Sequence, residues 1–236
     1  MATFVLVHGS FHGGWCWQKV ARLLRQSGHE VYAPTLTGLG ERSHLATPKT
    51  GLELHIQDIL QVLEYEDLRD VVLVGHSYAG MIITSVAEQV PQRVAHLIYL
   101  DAFIPHEGKS AFDLMPGTEK QWTQTAVSQG EGWLVPPMSP MDMGITNPVD
   151  AAWVQSRLKP MPLLTHQQPF QISSNQVGQL PRTYILCTQF GFHATAREAK
   201  KLGWDCFELE TGHDAMITIP NELALTLNKA IANRKK

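Results

Sequence analysis

Apolar residues fall along this chain in two alternating rhythms. Short apolar runs occur at Phe4-Val5-Leu6-Val7, at Val71-Val72-Leu73-Val74 and, interrupted only by His96, over residues 94–100. Runs of this kind suit strands buried on both faces of a parallel sheet. Between the runs, apolar positions recur three and four apart. Trp17, Val20, Ala21 and Leu24 mark one helix, stopped by Gly28, and Ile56, Ile59, Leu60 and Leu63 mark a second. A small, apolar stretch over residues 79–87 suits a buried third helix. Residues 30–33 read as a short strand closed by Pro34, and residues 35–50 as a loop rich in Gly and Thr.

Alternation of strand and helix predicts a doubly wound, mostly parallel sheet with helices on both faces. It breaks off at about residue 104. From there to about 177, clustered prolines (Pro136, Pro137, Pro140, Pro148, Pro160, Pro162, Pro169) and three tryptophans (Trp122, Trp133, Trp153) replace it, with no convincing strand signal. This segment is expected to be a lid of short helices and loops inserted into a single domain over residues 1–236. Alternation then resumes, with strands at 183–187 and 205–209, a helix at 194–202 between them, and a last helix. Pro220 lies near the start of that helix, and Leu223, Leu227 and Ile231 share one of its faces.

Composition narrows the class. At 236 residues and 44% apolar, the chain can bury a full core. A net charge of −3, with no basic run longer than Arg234-Lys235-Lys236, argues against nucleic acid or an anionic membrane as partner. No apolar run reaches the ~18 residues of a membrane span. The strand at Phe4 follows Met1 almost at once, so no signal peptide is expected. Cys16, Cys187 and Cys206 are too few and scattered for a disulfide framework or a zinc site, and read as reduced core or near-core residues of a cytoplasmic protein.

In an open parallel sheet, ligands bind beyond the C-terminal strand ends. The end at residue 74 leads into Gly75-His76-Ser77-Tyr78-Ala79-Gly80, a strand–turn–helix with one serine at the bend. That is nearly the G-x-S-x-G nucleophile elbow, with Ala79 at its last glycine. Ser77 is the candidate nucleophile; its plainer reading is a helix-start serine. His213, after Gly212 at the last strand end, is the candidate base. The third member, a carboxylate, is expected on the loop after residue 187, but Thr188-Gln189-Phe190-Gly191-Phe192-His193 holds none. Asp101, one strand earlier on the same rim, takes the role, with Asp214, Glu210 and Asp205 as alternatives. The oxyanion hole needs two backbone donors. Tyr78 N–H follows the nucleophile, and the turn at Gly9 offers Ser10 N–H, or Phe11 N–H beside it. His8 and His12 flank that glycine loop and are expected to shape it.

His8-Gly9, His12-Gly13-Gly14-Trp15, the Ser77 elbow and Gly212-His213 together resemble the α/β-hydrolase superfamily over essentially the whole chain. The first loop looks like the branch of plant methyl-ester hydrolases and hydroxynitrile lyases. Thr35-Leu36-Thr37-Gly38-Leu39-Gly40-Glu41-Arg42 and Leu100-Asp101-Ala102-Phe103-Ile104-Pro105 look like a bacterial subgroup of small esterase-like proteins that includes a carbendazim hydrolase. The resemblance implies a serine hydrolase of the α/β-hydrolase fold, with a lid and no cofactor, and it supports a shift of the acid to Asp101. Two other classes share this site. The related lyases carry a threonine beside the first histidine and a lysine after the catalytic one, where this chain has Gly9 and Asp214. A non-catalytic small-molecule receptor is the other. Phe11, Phe103, Trp122, Trp133 and Trp153 are expected to line a pocket for a small apolar or aromatic ester or carbamate.

Overall fold

The computed structural model describes residues 1–171 and 177–233. Part of the proline-rich segment, 172–176, and the run Arg234-Lys235-Lys236 lie outside the described residues. The first half alternates as β1 (Thr3–Val7), α1 (Gln18–Gln26), β2 (Glu30–Tyr32), α2 (Leu52–Tyr65), β3 (Val71–His76), α3 (Ala79–Gln89) and β4 (Val94–Leu100). A 3₁₀ turn, Gly14–Trp17, precedes α1, and a second, Gly40–Leu45, lies in the Gly- and Thr-rich loop. Helix α1 stops where Gly28 takes φ 82°. There His29 N–H reaches the Leu24 carbonyl and Gly28 N–H the Arg25 carbonyl, a Schellman ending that glycine permits.

After β4 come α4 (Thr118–Gln129), β5 (Leu134–Val135), α5 (Pro148–Gln155), β6 (Met161–Pro162) and α6 (Leu164–Gln167). The expectation of no strand here needs correction, because β5 and β6 pair antiparallel. Two residues are too short for a period to show, and Pro162 lacks the N–H a strand signal presumes. The fold closes with β7 (Arg182–Cys187), α7 (His193–Lys201), β8 (Asp205–Leu209), α8 (Ala215–Thr218) and α9 (Pro220–Asn233).

Six strands form one sheet in the order β2-β1-β3-β4-β7-β8, all parallel. The order reverses between β1 and β3. Right-handed crossovers therefore put α1 on one face and α2, α3 and α7 on the other. Accordingly α1 packs with α9 and α2 with α3. The central strands β1, β3 and β4 are buried almost throughout, as their apolar runs require. Cys16 and Cys187 are buried, but Cys206 is exposed, because β8 is an edge strand. No helix among the described residues is long and apolar enough to cross a membrane.

Candidate active site

Strand β3 passes into α3 through two residues. Ser77 takes φ 54°, left-handed backbone that strains a residue with a Cβ. Three backbone bonds of 3.1 Å hold it there. Its N–H donates to Leu100, and its carbonyl accepts from Gly80 and Phe103. Close approach explains both glycines of the turn. A Cβ on Gly75 would lie 2.8 Å from the Ala79 carbonyl oxygen, and one on Gly80 only 2.0 Å from that of Phe103. The space-limited position is thus 80, and Ala79 is accommodated, fully buried. Gly80→Ala forces the backbone apart and is expected to cost about 1–3 kcal/mol, as overpacking does, read as a lower urea midpoint at unchanged m-value.

His213 comes from the turn between β8 and α8. Its N–H donates to the Met143 carbonyl at 2.9 Å. Behind this bond Gly144 and Gly212 meet so closely that a Cβ on either would lie 2.6 Å from the other's Cα. The imidazole Nδ1 is 2.6 Å from Asp101 Oδ2. Asp101 is fully buried at φ 44°, and its Oδ1 accepts the Cys187 N–H at 3.1 Å. The neighbouring strand β7 thus orients the carboxylate, and with Nδ1–H donating to Asp101, Nε2 is the free basic nitrogen. Phe190 stacks on His213 with centroids 4.1 Å apart, and His76 lies 4.4 Å away. The loop that lacks an acid instead supplies aromatic faces for the His213 ring. Among the described residues no hydrogen bond joins Ser77 Oγ to His213. In ligand-free serine hydrolases this contact is often long and tightens on substrate.

Two histidines fix the loop after β1. Leu36 N–H donates to His8 Nε2 at 3.0 Å, so His8 Nδ1–H must donate to the Gly9 carbonyl, 2.9 Å away. Burial holds this ring neutral, with its pKa down to about 3. His12 differs. Nδ1 bonds the Ser10 carbonyl at 2.7 Å and Nε2 bonds Asp214 Oδ2 at 3.0 Å, so both nitrogens donate and the ring is an imidazolium. Burial works against that charge, but the Asp214 carboxylate outweighs it and raises the His12 pKa. Burial likewise opposes the Asp214 charge, yet His12, with smaller help from His76 and His213, brings its pKa down to about 2. With the Gly9 and Ser10 carbonyls held, the N–H groups of Ser10 and Phe11 are aimed. Among the described residues neither they nor Tyr78 N–H have a protein acceptor.

These groups surround a cavity of about 80 Å³. Ser10, Phe11, Ser77, Phe103, Trp122 and His213 line it, as does His12. The remaining wall comes from Met115, Met138, Met143, His76, His166, Phe190 and Phe192. Two expected pocket residues need correction. Trp153 does not line the cavity; on α5 it meets Trp15 edge-on at 5.1 Å with the Arg157 guanidinium 4.8 Å above its ring. Trp133 is also off the wall. It sits at the turn into β5, where its carbonyl accepts the Leu163 N–H at 2.8 Å. Among the other carboxylates, Asp214 is committed to His12, Glu210 is exposed, and Asp205 begins β8 at the far end of the sheet. Residue pattern does not single out His166 or the Phe190–Phe192 pair. Among the described residues no group of three or more His, Cys, Asp or Glu is arranged to hold a metal ion.

This geometry has relatives. The carbendazim hydrolyzing esterase of Nocardioides sp. (strain SG-4G) is 38% identical over 239 residues, covering 95% of this chain and 97% of that protein. Methylesterase 10 of Arabidopsis thaliana is 29% identical, with 97% and 91% covered. Among solved structures, an extracellular alpha/beta-hydrolase from a Paenibacillus species superposes with a TM-score of 0.86 at 27% identity, covering 98% of this chain and 99% of that one. It is described as sharing structural and functional homology with tobacco Salicylic Acid Binding Protein 2. The sequence model of the alpha/beta hydrolase family matches residues 4–224, nearly the whole fold from β1 into α9, and the chain belongs to that family.

Proposed function

We propose that this protein is a serine hydrolase that cleaves carboxylic esters and carbamates through an acyl-enzyme on Ser77. The observation that carries the reading is the 2.6 Å bond from His213 Nδ1 to a fully buried Asp101, beside a cavity that also holds Ser77. Ester cleavage is the activity the relatives' names carry, and one of them is named for carbendazim.

In the first half-reaction His213 Nε2 takes the Ser77 hydroxyl proton as Oγ bonds to the carbonyl carbon. The carbonyl oxygen becomes an oxyanion, held by the N–H groups of Ser10 and Tyr78. Asp101 keeps the proton on Nδ1 and stabilises the imidazolium. The tetrahedral centre collapses, the bond to the leaving oxygen breaks, and His213 returns the proton to it. Water, deprotonated by the same nitrogen, then releases the acid and restores Ser77. The segment between β4 and β7 acts as a lid, since Met115, Trp122, Met138, Met143 and His166 all come from it. With about 80 Å³ open, a larger acyl group must displace side chains, and methionines yield most readily.

A fluorophosphonate probe tests this. The expected result is one covalent adduct, mapped to Ser77, with loss of p-nitrophenyl ester and aryl carbamate hydrolysis in step with labelling. An unlabelled Ser77 in folded protein sinks the reading.

A further inference from the structure

Besides the Ser77–His213 relay and the buried His12 and His76, one polar pair faces the cavity from a wall of aromatic and methionine side chains. Ser10 Oγ and His166 Nε2 lie 3.2 Å apart, and both residues line it. The direction of each bond here follows from counting protons. Thr165 Oγ1 donates its only proton to the Pro162 carbonyl at 2.6 Å. Towards His166 Nδ1, 2.9 Å away, it can therefore only accept. The ring's proton is thus on Nδ1, and Nε2 is a bare acceptor. Burial, with the charge of His55 adding to it, holds the imidazole neutral, its pKa down to about 3. Ser10 must then donate to Nε2. Stacking fixes the ring, on Tyr78 at 4.8 Å and against Trp122 at 4.9 Å.

The result is a one-way chain: Ser10 O–H to His166 Nε2, then His166 Nδ1–H to Thr165, then Thr165 O–H to Pro162. Its open end is the Ser10 oxygen, whose proton is already spent. That oxygen can accept from a ligand but cannot donate to one. We propose that Ser10 Oγ, oriented by His166 and Thr165, is a specificity site for acyl groups that carry an N–H on the carbonyl carbon, and so favours N–H carbamates over the matching carbon acids. The proposal rests on the Ser77 hydrolase reading. If Ser10 N–H holds the carbonyl oxygen, the same residue's hydroxyl lies one side chain away from the atom bonded to the carbonyl carbon. In an N–H carbamate that atom needs an acceptor once desolvated, which the aromatic and methionine side chains of the wall do not supply. In an ester the same position is a CH₂, which gains nothing from the site. A donor-bearing group seated on a preset acceptor is discriminated from its apolar isostere because the mismatch leaves a buried polar group unpaired.

The readout is the ratio of kcat/KM for p-nitrophenyl N-phenylcarbamate to that for p-nitrophenyl phenylacetate, which differ by NH against CH₂. Intrinsic reactivity cancels when wild type and variants are compared. Ser10→Ala and His166→Phe are each expected to lower the ratio about 10- to 100-fold. Thr165→Val, which lies off the cavity wall and acts only by freeing the His166 tautomer, is expected to lower it in the same direction. A purely structural role moves both substrates together and leaves the ratio alone. Ratios within twofold of wild type in Ser10→Ala, with Ser77 still labelled by fluorophosphonate, overturn the proposal. Absence of labelling in wild type instead removes the hydrolase reading beneath it. Ser10→Ala also decides the matter should His166→Phe fail to fold.

Discussion

Asp101→Asn is expected to lower kcat/KM for ester cleavage by about 10⁴-fold, the size of the effect when the corresponding aspartate of a serine protease is replaced. The reason is tautomer, not shape. In wild type the carboxylate accepts from His213 Nδ1–H at 2.6 Å and from Cys187 N–H at 3.1 Å, so it has acceptors on both oxygens and no proton to give. Asparagine fits the same space, but its amide has one oxygen and one NH₂. If the oxygen stays on the Cys187 N–H, the NH₂ faces Nδ1 and forces that nitrogen to become the acceptor. The ring's proton then sits on Nε2, and His213 can no longer take one from Ser77. Steady-state p-nitrophenyl ester hydrolysis and the rate of fluorophosphonate labelling should fall together, since both need an activated Ser77. Near-wild-type rates in Asp101→Asn would move the supporting role to another carboxylate.

Much of this site is visible in residue order because strand ends of a parallel sheet converge on one rim. Ser77, Asp101 and His213 each follow a legible strand, β3, β4 and β8, and the structure brings all three to one place. Asp101 was reached by elimination, since the loop after β7 carries no carboxylate. What elimination did not reveal is why that loop has none. Phe190 and Phe192 occupy it and lie parallel to the His213 ring, with interplanar angles of 22° and 4°. The lid was legible only as a break in rhythm. Its helices are short, and residue type alone does not say which way a side chain points. Trp122 faces the cavity while Trp133 and Trp153 do not. Polar pairs that join distant segments left no local trace at all. Ser10 and His166 are 156 residues apart, His12 and Asp214 202.

That last pair carries the largest expected effect on stability. Asp214→Asn is expected to destabilise the fold by about 3–5 kcal/mol at neutral pH, the usual result of removing one member of a buried ion pair. Both side chains are shielded, at 1% and 0% exposure, so the His12 charge left behind has no water to turn to. The pH dependence gives the sharper test. Because the His12 pKa is raised by folding, its contribution is fully present below the ordinary histidine pKa of about 6.5 and is lost as pH rises through the folded value. Because the Asp214 pKa is lowered to about 2, the same interaction is lost as pH falls from the ordinary aspartate value of 3.8 through about 2. The two shifts describe one contact and do not add. In Asp214→Asn, burial is opposed only by the bond to the Ser10 carbonyl and pushes the His12 pKa down, so folding now releases a proton where wild type retains one. The stability gap between the two proteins should therefore narrow as pH rises from about 6 upward through the His12 titration. Urea unfolding of both proteins across that interval measures the gap directly. A gap that stays constant with pH would mean that His12 carries no charge in the folded protein. In that case its hold on the Ser10 carbonyl would be a neutral hydrogen bond, with no imidazolium behind the loop that aims Ser10 N–H at the cavity.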